Sequence, residues 1–180
     1  MSKAHELRHR LYRLADRLLP QAYAKYSRSP IYRRKWRKRL VSVTLDRNHT
    51  PWRPFEKPLS DCNVALVTTA GVYLSSQTPH SPLGNDPSWR AIPREAERRD
   101  LRVFHPAVNN DDANRDPNIV FPLEHLRELQ IQGIIGQVAP THYSYVGLLN
   151  DFRPLLQDTA PEMVAGLVDE KVDLVLLFPS

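Results

Sequence analysis

Val64-Ala-Leu-Val-Thr-Thr-Ala-Gly71 and Val172-Asp-Leu-Val-Leu-Leu-Phe178 decide the fold. Each is a short run of apolar, largely β-branched or leucine residues without a helical period. The first stops at Ala70-Gly71 and the second at Pro179. Such runs read as strands buried on both faces, the pattern of a parallel sheet covered by helices.

The stretches between them supply those helices. Leu123 to Gln132 places Leu123, Leu126 and Leu129 on one face, with Pro122 in the first turn and Gly133 as the stop. Ile134 to Val138 opens another apolar segment, and Leu101-Arg-Val-Phe-His105 resembles a short strand. Thr159 to Lys171 predicts a further helix, with Thr159 as cap, Pro161 in the first turn, and Met163, Val164 and Leu167 inward. The alternation argues for an α/β domain: a mostly parallel sheet with helices on both faces, preceded by a basic helical arm. No internal repeat is visible.

The 180 residues, 41% of them apolar, suffice for one core and an appendage. No segment reaches the roughly 18 apolar residues of a membrane span and none has the layout of a secretory signal, so a soluble, cytoplasmic protein is expected. One cysteine, Cys62, excludes an internal disulfide and any zinc site of clustered thiolates. Sixteen prolines against six glycines predict long ordered loops, notably over Thr50 to Pro58 and Pro79 to Pro93.

Net charge divides the chain. Residues 1–60 hold about 16 Lys and Arg against about 4 acids, which leaves the remainder near −7. Leu7, Leu11, Leu14 and Leu18 form a helical stripe flanked by Arg8, Arg10, Arg13 and Arg17, and Arg33 to Arg39 surrounds Trp36. This arm reads as a solvated helical face, with docking to an acidic partner or a membrane surface as the alternative. Charge without a recognition motif does not indicate specific nucleic-acid binding. Residues 1–59 are thus a basic helical arm and Pro-rich linker, and residues 60–180 an α/β domain, with the boundary near Ser60.

Ligands of open α/β sheets bind outside the carboxyl ends of the strands. That rule directs attention to Thr68, Thr69 and Gly71, with the loop holding His80, Asp86, Ser88, Trp89 and Arg90. It also selects His105 with Asn109 to Asp112, and the segment Thr141 to Tyr145. His142 offers two nitrogens for general acid chemistry or substrate orientation, or is a satisfied loop histidine. His105, Asp111 and Asp112 have metal-ligand chemistry but no supporting spacing, and a turn closed by Asn and Asp side chains explains them as well, so no metal is expected. The chain has no dinucleotide-binding, P-loop or nucleophile-elbow motif.

Val64-Ala-Leu-Val-Thr-Thr-Ala-Gly-Val, Asp111-Asp-Ala-Asn-Arg-Asp-Pro-Asn-Ile-Val-Phe-Pro-Leu, Leu126-Arg-Glu-Leu, Gly133-Ile-Ile-Gly, His142-Tyr-Ser-Tyr-Val-Gly and the closing Val172-Asp-Leu-Val-Leu-Leu occur in an order that resembles one family. It is that of the selenoprotein B components of glycine, betaine, sarcosine and D-proline reductases, with a flavour nearer the D-proline enzyme. The similarity covers about residues 60–180; the basic arm is not part of the pattern. It implies a subunit that reductively cleaves a C–N bond of a small amino acid or amine with dithiol electrons. It also implies a selenocysteine or cysteine directly after the last strand. This sequence stops one residue short of that position, and a selenocysteine codon read as a stop would have that effect. The 180-residue chain would then be inactive alone. No pyruvoyl-forming sequence is present, so that group is expected on a separate partner subunit, and self-association into a homo-oligomer is compatible with the resemblance.

On this reading His142, Asp112 and His105 are the candidate catalytic residues, and Thr68, Thr69, Asp111 and Tyr143 line the substrate. The alternative is a non-catalytic binding or assembly protein that docks through its basic arm.

Overall fold

The computed structural model describes residues 54–82, 85–149 and 151–179, together with the single positions Leu18 and Pro30. Apart from those two positions and residues 54–59, the expected basic arm and linker lie outside the described residues.

The first apolar run forms β1 (Asn63–Thr68), buried along its whole length. The last forms β7 (Leu174–Phe178), parallel to it with Val64 opposite Leu174 and Thr68 opposite Phe178. Between them lie β2 (Val72–Leu74), β3 (Arg90–Pro93), β4 (Leu101–Val103), β5 (Gln137–Val138) and β6 (Thr141–Ser144). β5 pairs with the start of β1 and β6 with its end, both parallel. β3 adds to β6 antiparallel, with Arg90 opposite Ser144. The sheet is therefore mostly parallel, as expected.

Helices cover both faces. Side chains alternate across a strand, and Leu66 joins Val64, Phe121, Leu123, Leu126 and Val138 in one cluster, whereas Val67 joins Tyr143 and Met163 in another. The first cluster is closed by α1 (Asp111–Arg115) and α2 (Leu123–Ile131), and the second by α3 (Ala160–Asp169). Burial of each large apolar side chain contributes roughly 1.5–3 kcal/mol. Gly133, with φ +70°, ends α2 as its sequence requires.

Five expectations are corrected. Leu101–Val103 does not enter the main sheet: it pairs antiparallel with β2, with Val72 opposite Val103. The Ile134–Val138 segment is a strand only at its last two residues, and Ile134 is exposed. Thr159 does not cap α3, because a π turn over Leu155–Thr159 runs into the helix and leaves Thr159 helical, with its hydroxyl donating to the Pro87 carbonyl. Val164 lies outward, 55% exposed, while Met163 is buried. β7 is also not buried on both faces: it lies at the sheet's edge beside β1, with no second strand partner among the described residues. Its Leu177 is 72% exposed.

The start of β1 is tied to the α3–β7 turn. Asp173 accepts from the Asn63 amide at 2.8 Å and from Lys57 Nζ at 2.7 Å, and these contacts hold its carboxyl below the usual range. No helix among the described residues is long and apolar enough to cross a membrane.

Candidate functional site

The carboxyl ends of β1, β6 and β7 converge. The Thr69 amide and the Thr68 hydroxyl both donate to the Phe178 carbonyl, each at 3.1 Å. Thr68 Oγ1 also accepts from the Ala70 amide at 3.2 Å. Across β1, the Tyr145 amide donates to the Thr68 carbonyl, the Gly147 amide to the Thr69 carbonyl, and the Gly71 amide to the Tyr145 carbonyl, all at 3.0 Å. The exit of β7 is thus fixed against a turn whose own backbone is held from the other side.

Close approach explains the glycine at 71. Its φ is +69°, and a Cβ there would stand 2.2 Å from the Phe104 carbonyl oxygen, which lies at the end of β4. The chain reverses at Gly71 into β2, whose Val72 amide donates to Ser144 Oγ at 2.7 Å. Ser144, paired with Thr68 on one side and Arg90 on the other, joins both sheets at this edge.

The proline-rich loop before β3 packs here through Arg90 and Asp86. Arg90 donates to the Thr78 carbonyl at 2.8 Å and to the Trp89 carbonyl and Ser88 Oγ at 2.9 Å. Asp86 accepts from the Ser81 amide at 2.8 Å and from the Ser88 amide at 3.0 Å. Burial pushes the Asp86 carboxyl up, but the hydrogen bonds from Ser88 and Ser81 outweigh it and hold it below its ordinary value.

His80 is fully buried between these groups; neither ring nitrogen makes a hydrogen bond of good geometry among the described residues, though the Val72 backbone acts on the ring and Asp86 Oδ2 stands 3.8 Å from its Nδ1. Burial, helped by the Arg90 charge, lowers its pKa to about 4 against the opposing pull of Asp86, so the ring is neutral near pH 7. In sequence His80 is one more residue of a proline-rich loop; only its placement sets it apart.

His142 is not on a loop. It points from β6 into the core, fully buried, edge-on to Phe121 with ring centroids 5.9 Å apart. Its Nδ1 accepts from the Leu66 amide at 2.9 Å. The reason lies in the β5–β6 break: Val64 and Thr68 bond the backbone of Ala139 and Tyr145, but Leu66 between them faces the interruption at Pro140. The imidazole supplies the acceptor the ladder lacks there. Burial, then the Arg127 charge, lowers its pKa to about 4. The ring is neutral, with its proton on Nε2.

The other candidates scatter. Thr68 and Thr69 stand at the converging ends. Tyr143 lies on the opposite face of β6, packed edge-on to Trp89 at 5.2 Å and against Gly166, where a Cβ would stand 2.1 Å from the phenol oxygen. Burial raises its pKa, with Glu170 and Asp169 adding to the effect. His105 is buried below β4 and accepts from the Ala107 amide at 3.2 Å, and burial lowers its pKa. Asp111 is exposed on α1, and Asp112 there pairs with Arg115 at 3.0 Å. No three histidine, cysteine or acidic side chains converge as a metal site among the described residues. Sequence reasoning selected Ser144 only as part of the Thr141–Tyr145 segment, and passed over the Phe178 carbonyl as an anchor because a backbone carbonyl carries no side-chain motif.

The pattern of Glycine/sarcosine/betaine reductase selenoprotein B matches residues 45–179. D-proline reductase subunit gamma of Acetoanaerobium sticklandii is 38% identical over 126 residues, covering 70% of this chain and 52% of that protein. Betaine reductase complex component B subunit beta of Peptoclostridium acidaminophilum is 28% identical over 95 residues, 51% of this chain and 22% of that protein. The chain therefore spans about half the length of the first relative and less of the second. No solved structure matches it. With the family pattern running through every strand from β1 to β7, the chain belongs to the glycine/sarcosine/betaine reductase selenoprotein B family.

Proposed function

We propose that this chain forms the amino-terminal part of a cytoplasmic reductase subunit that cleaves a C–N bond of a small amino acid or amine with dithiol electrons. D-proline is the first substrate to test, since the relative that is 38% identical is named for it. The observation that supports the reading is the double anchoring of the Phe178 carbonyl by Thr68 and Thr69 at the carboxyl edge. A chain continuing from β7 enters the loop cluster where α/β proteins place their ligands.

The reactive group in this reading is a selenocysteine or cysteine that follows β7, and a pyruvoyl group belongs to a separate partner subunit. A chalcogenolate supplies a soft nucleophile of low pKa. The residues present fit such a group: Thr68 and Thr69 fix the backbone leading to it. The Ser144 and Gly71 contacts hold the turn beside it rigid. Neutral His80, buried beside Asp86 and the Val72 backbone, is a proton-handling or orienting group in this reading.

The test is dithiol-dependent conversion of D-proline by the full-length subunit reconstituted with its partner subunit. Product formation abolished by Ala in place of the selenocysteine or cysteine expected after Ser180 supports the proposal. Absence of turnover with D-proline, glycine, sarcosine and betaine alike overturns it.

A further inference from the structure

A concavity opens away from the carboxyl edge, between the turn preceding β4 and the helices α1 and α2. It holds about 530 Å³, the size of a small-molecule site. Five arginines line it, Arg98, Arg99, Arg102, Arg115 and Arg127, against the two acids Glu97 and Glu124. No aromatic side chain lines it.

Gathering five guanidinium groups is unfavourable unless something offsets their repulsion, and the protein offsets only part of it. Arg99 pairs with Glu97 and Arg115 with Asp112, each at 3.0 Å, and Arg98 has Asp116 at 3.8 Å. Arg102 and Arg127 have no ion pair among the described residues. They are held by backbone carbonyls instead. Arg102 donates to Arg99 at 2.8 Å and Leu101 at 2.6 Å, and Arg127 donates to Ala96 at 2.7 Å and to Arg94. Arg98 likewise donates to the Arg115 carbonyl.

Those contacts preorganise the cluster. A guanidinium carries five N–H donors in a rigid fork, so anchoring it along one edge leaves donors for a ligand. Fixed, partly uncompensated forks suit oxyanions, which they bind in bidentate fashion. The absence of a ring to stack on argues against a nucleobase and for a compact ligand that is mostly charge.

We propose that this cleft binds a compact multivalent oxyanion of the diphosphate or polycarboxylate type, at a site separate from the carboxyl edge. The site needs none of Thr68, Thr69, Ser144 or His80.

The test is calorimetric titration of the 180-residue chain with inorganic pyrophosphate and, separately, citrate, at ionic strength held constant with sodium chloride. Saturable one-to-one binding of either is expected, and the tighter one identifies the ligand type. Arg99→Gln with Arg115→Gln, both side chains 78% exposed and safe for folding, is expected to weaken it at least fivefold. Arg102→Lys keeps the charge but loses the fork, and is expected to weaken it as well. Arg33→Gln with Arg34→Gln and Arg37→Gln is expected to leave it unchanged. Failure of both anions to saturate, wild-type binding by the Arg99/Arg115 variant, or loss of binding in the arm variant would each overturn the proposal.

Discussion

Replacing His142 with phenylalanine tests whether the imidazole repairs the sheet. Phenylalanine keeps the aromatic contact with Phe121 but cannot accept the Leu66 amide, which is fully buried. A buried donor left unpaired costs about 1–3 kcal/mol, the loss expected near pH 8. The acid side carries a second signature. Burial holds the His142 pKa at about 4 in the folded chain, against an ordinary 6.5. The unfolded chain therefore binds more protons between those values, and stability is fully present above the unfolded pKa and falls as pH drops toward the folded one. At one pKa unit per 1.36 kcal/mol, the wild type loses roughly 3 kcal/mol through this residue, and the variant does not. The two stabilities, measured by urea unfolding at several pH values from about 8 to 4.5, should converge as pH falls. Equal stability near pH 8, or a gap that stays constant on acidification, would refute the reasoning.

Gly71→Ala should destabilise the fold by at least about 2 kcal/mol, because the left-handed backbone alone costs about 1–2 kcal/mol and the new Cβ meets the Phe104 carbonyl; thermal unfolding measures it. Thr68→Val removes a donor to Phe178 and an acceptor for Ala70, and should cost about 1–3 kcal/mol in urea unfolding. In the full-length subunit the same change should lower kcat more than it raises KM. Arg90→Lys cannot reproduce the bonds to Thr78, Ser88 and Trp89, so hydrogen exchange over residues 78–82 and 85–89 should quicken while the midpoint of global unfolding changes little.

Both parallel strands were legible as continuous apolar runs, but only β1 is buried on both faces; β7 stands where its run stands and is half-buried at the edge. α2 was legible from Leu123 and Leu126, and its end from Gly133. β2 was hidden because Val72-Tyr-Leu follows β1 after one reversal at Gly71, so nothing in composition separates the two strands. That same reversal draws Leu101–Val103 into an antiparallel ribbon instead of the main sheet. β3 was hidden by Pro93, which an edge strand tolerates. Val164 turned outward because the π turn at Leu155–Thr159 sets the rotation of α3, a detail no apolar period encodes. The site was half legible. The rule of strand ends selected Thr68 and Thr69, but the polar character of Thr141-His-Tyr-Ser suggested a loop where a strand forms. His142 serves the ladder, and its chemistry could be told from a loop histidine's only by seeing the Leu66 amide that turns to its Nδ1.

The central claim is that a reactive selenocysteine or cysteine follows β7 on the carboxyl edge, and the nucleotide sequence immediately downstream of the Ser180 codon tests it most directly. The account predicts an in-frame UGA or cysteine codon there, followed by an open frame containing a nearby cysteine. A different stop codon, or no open frame beyond it, would contradict it.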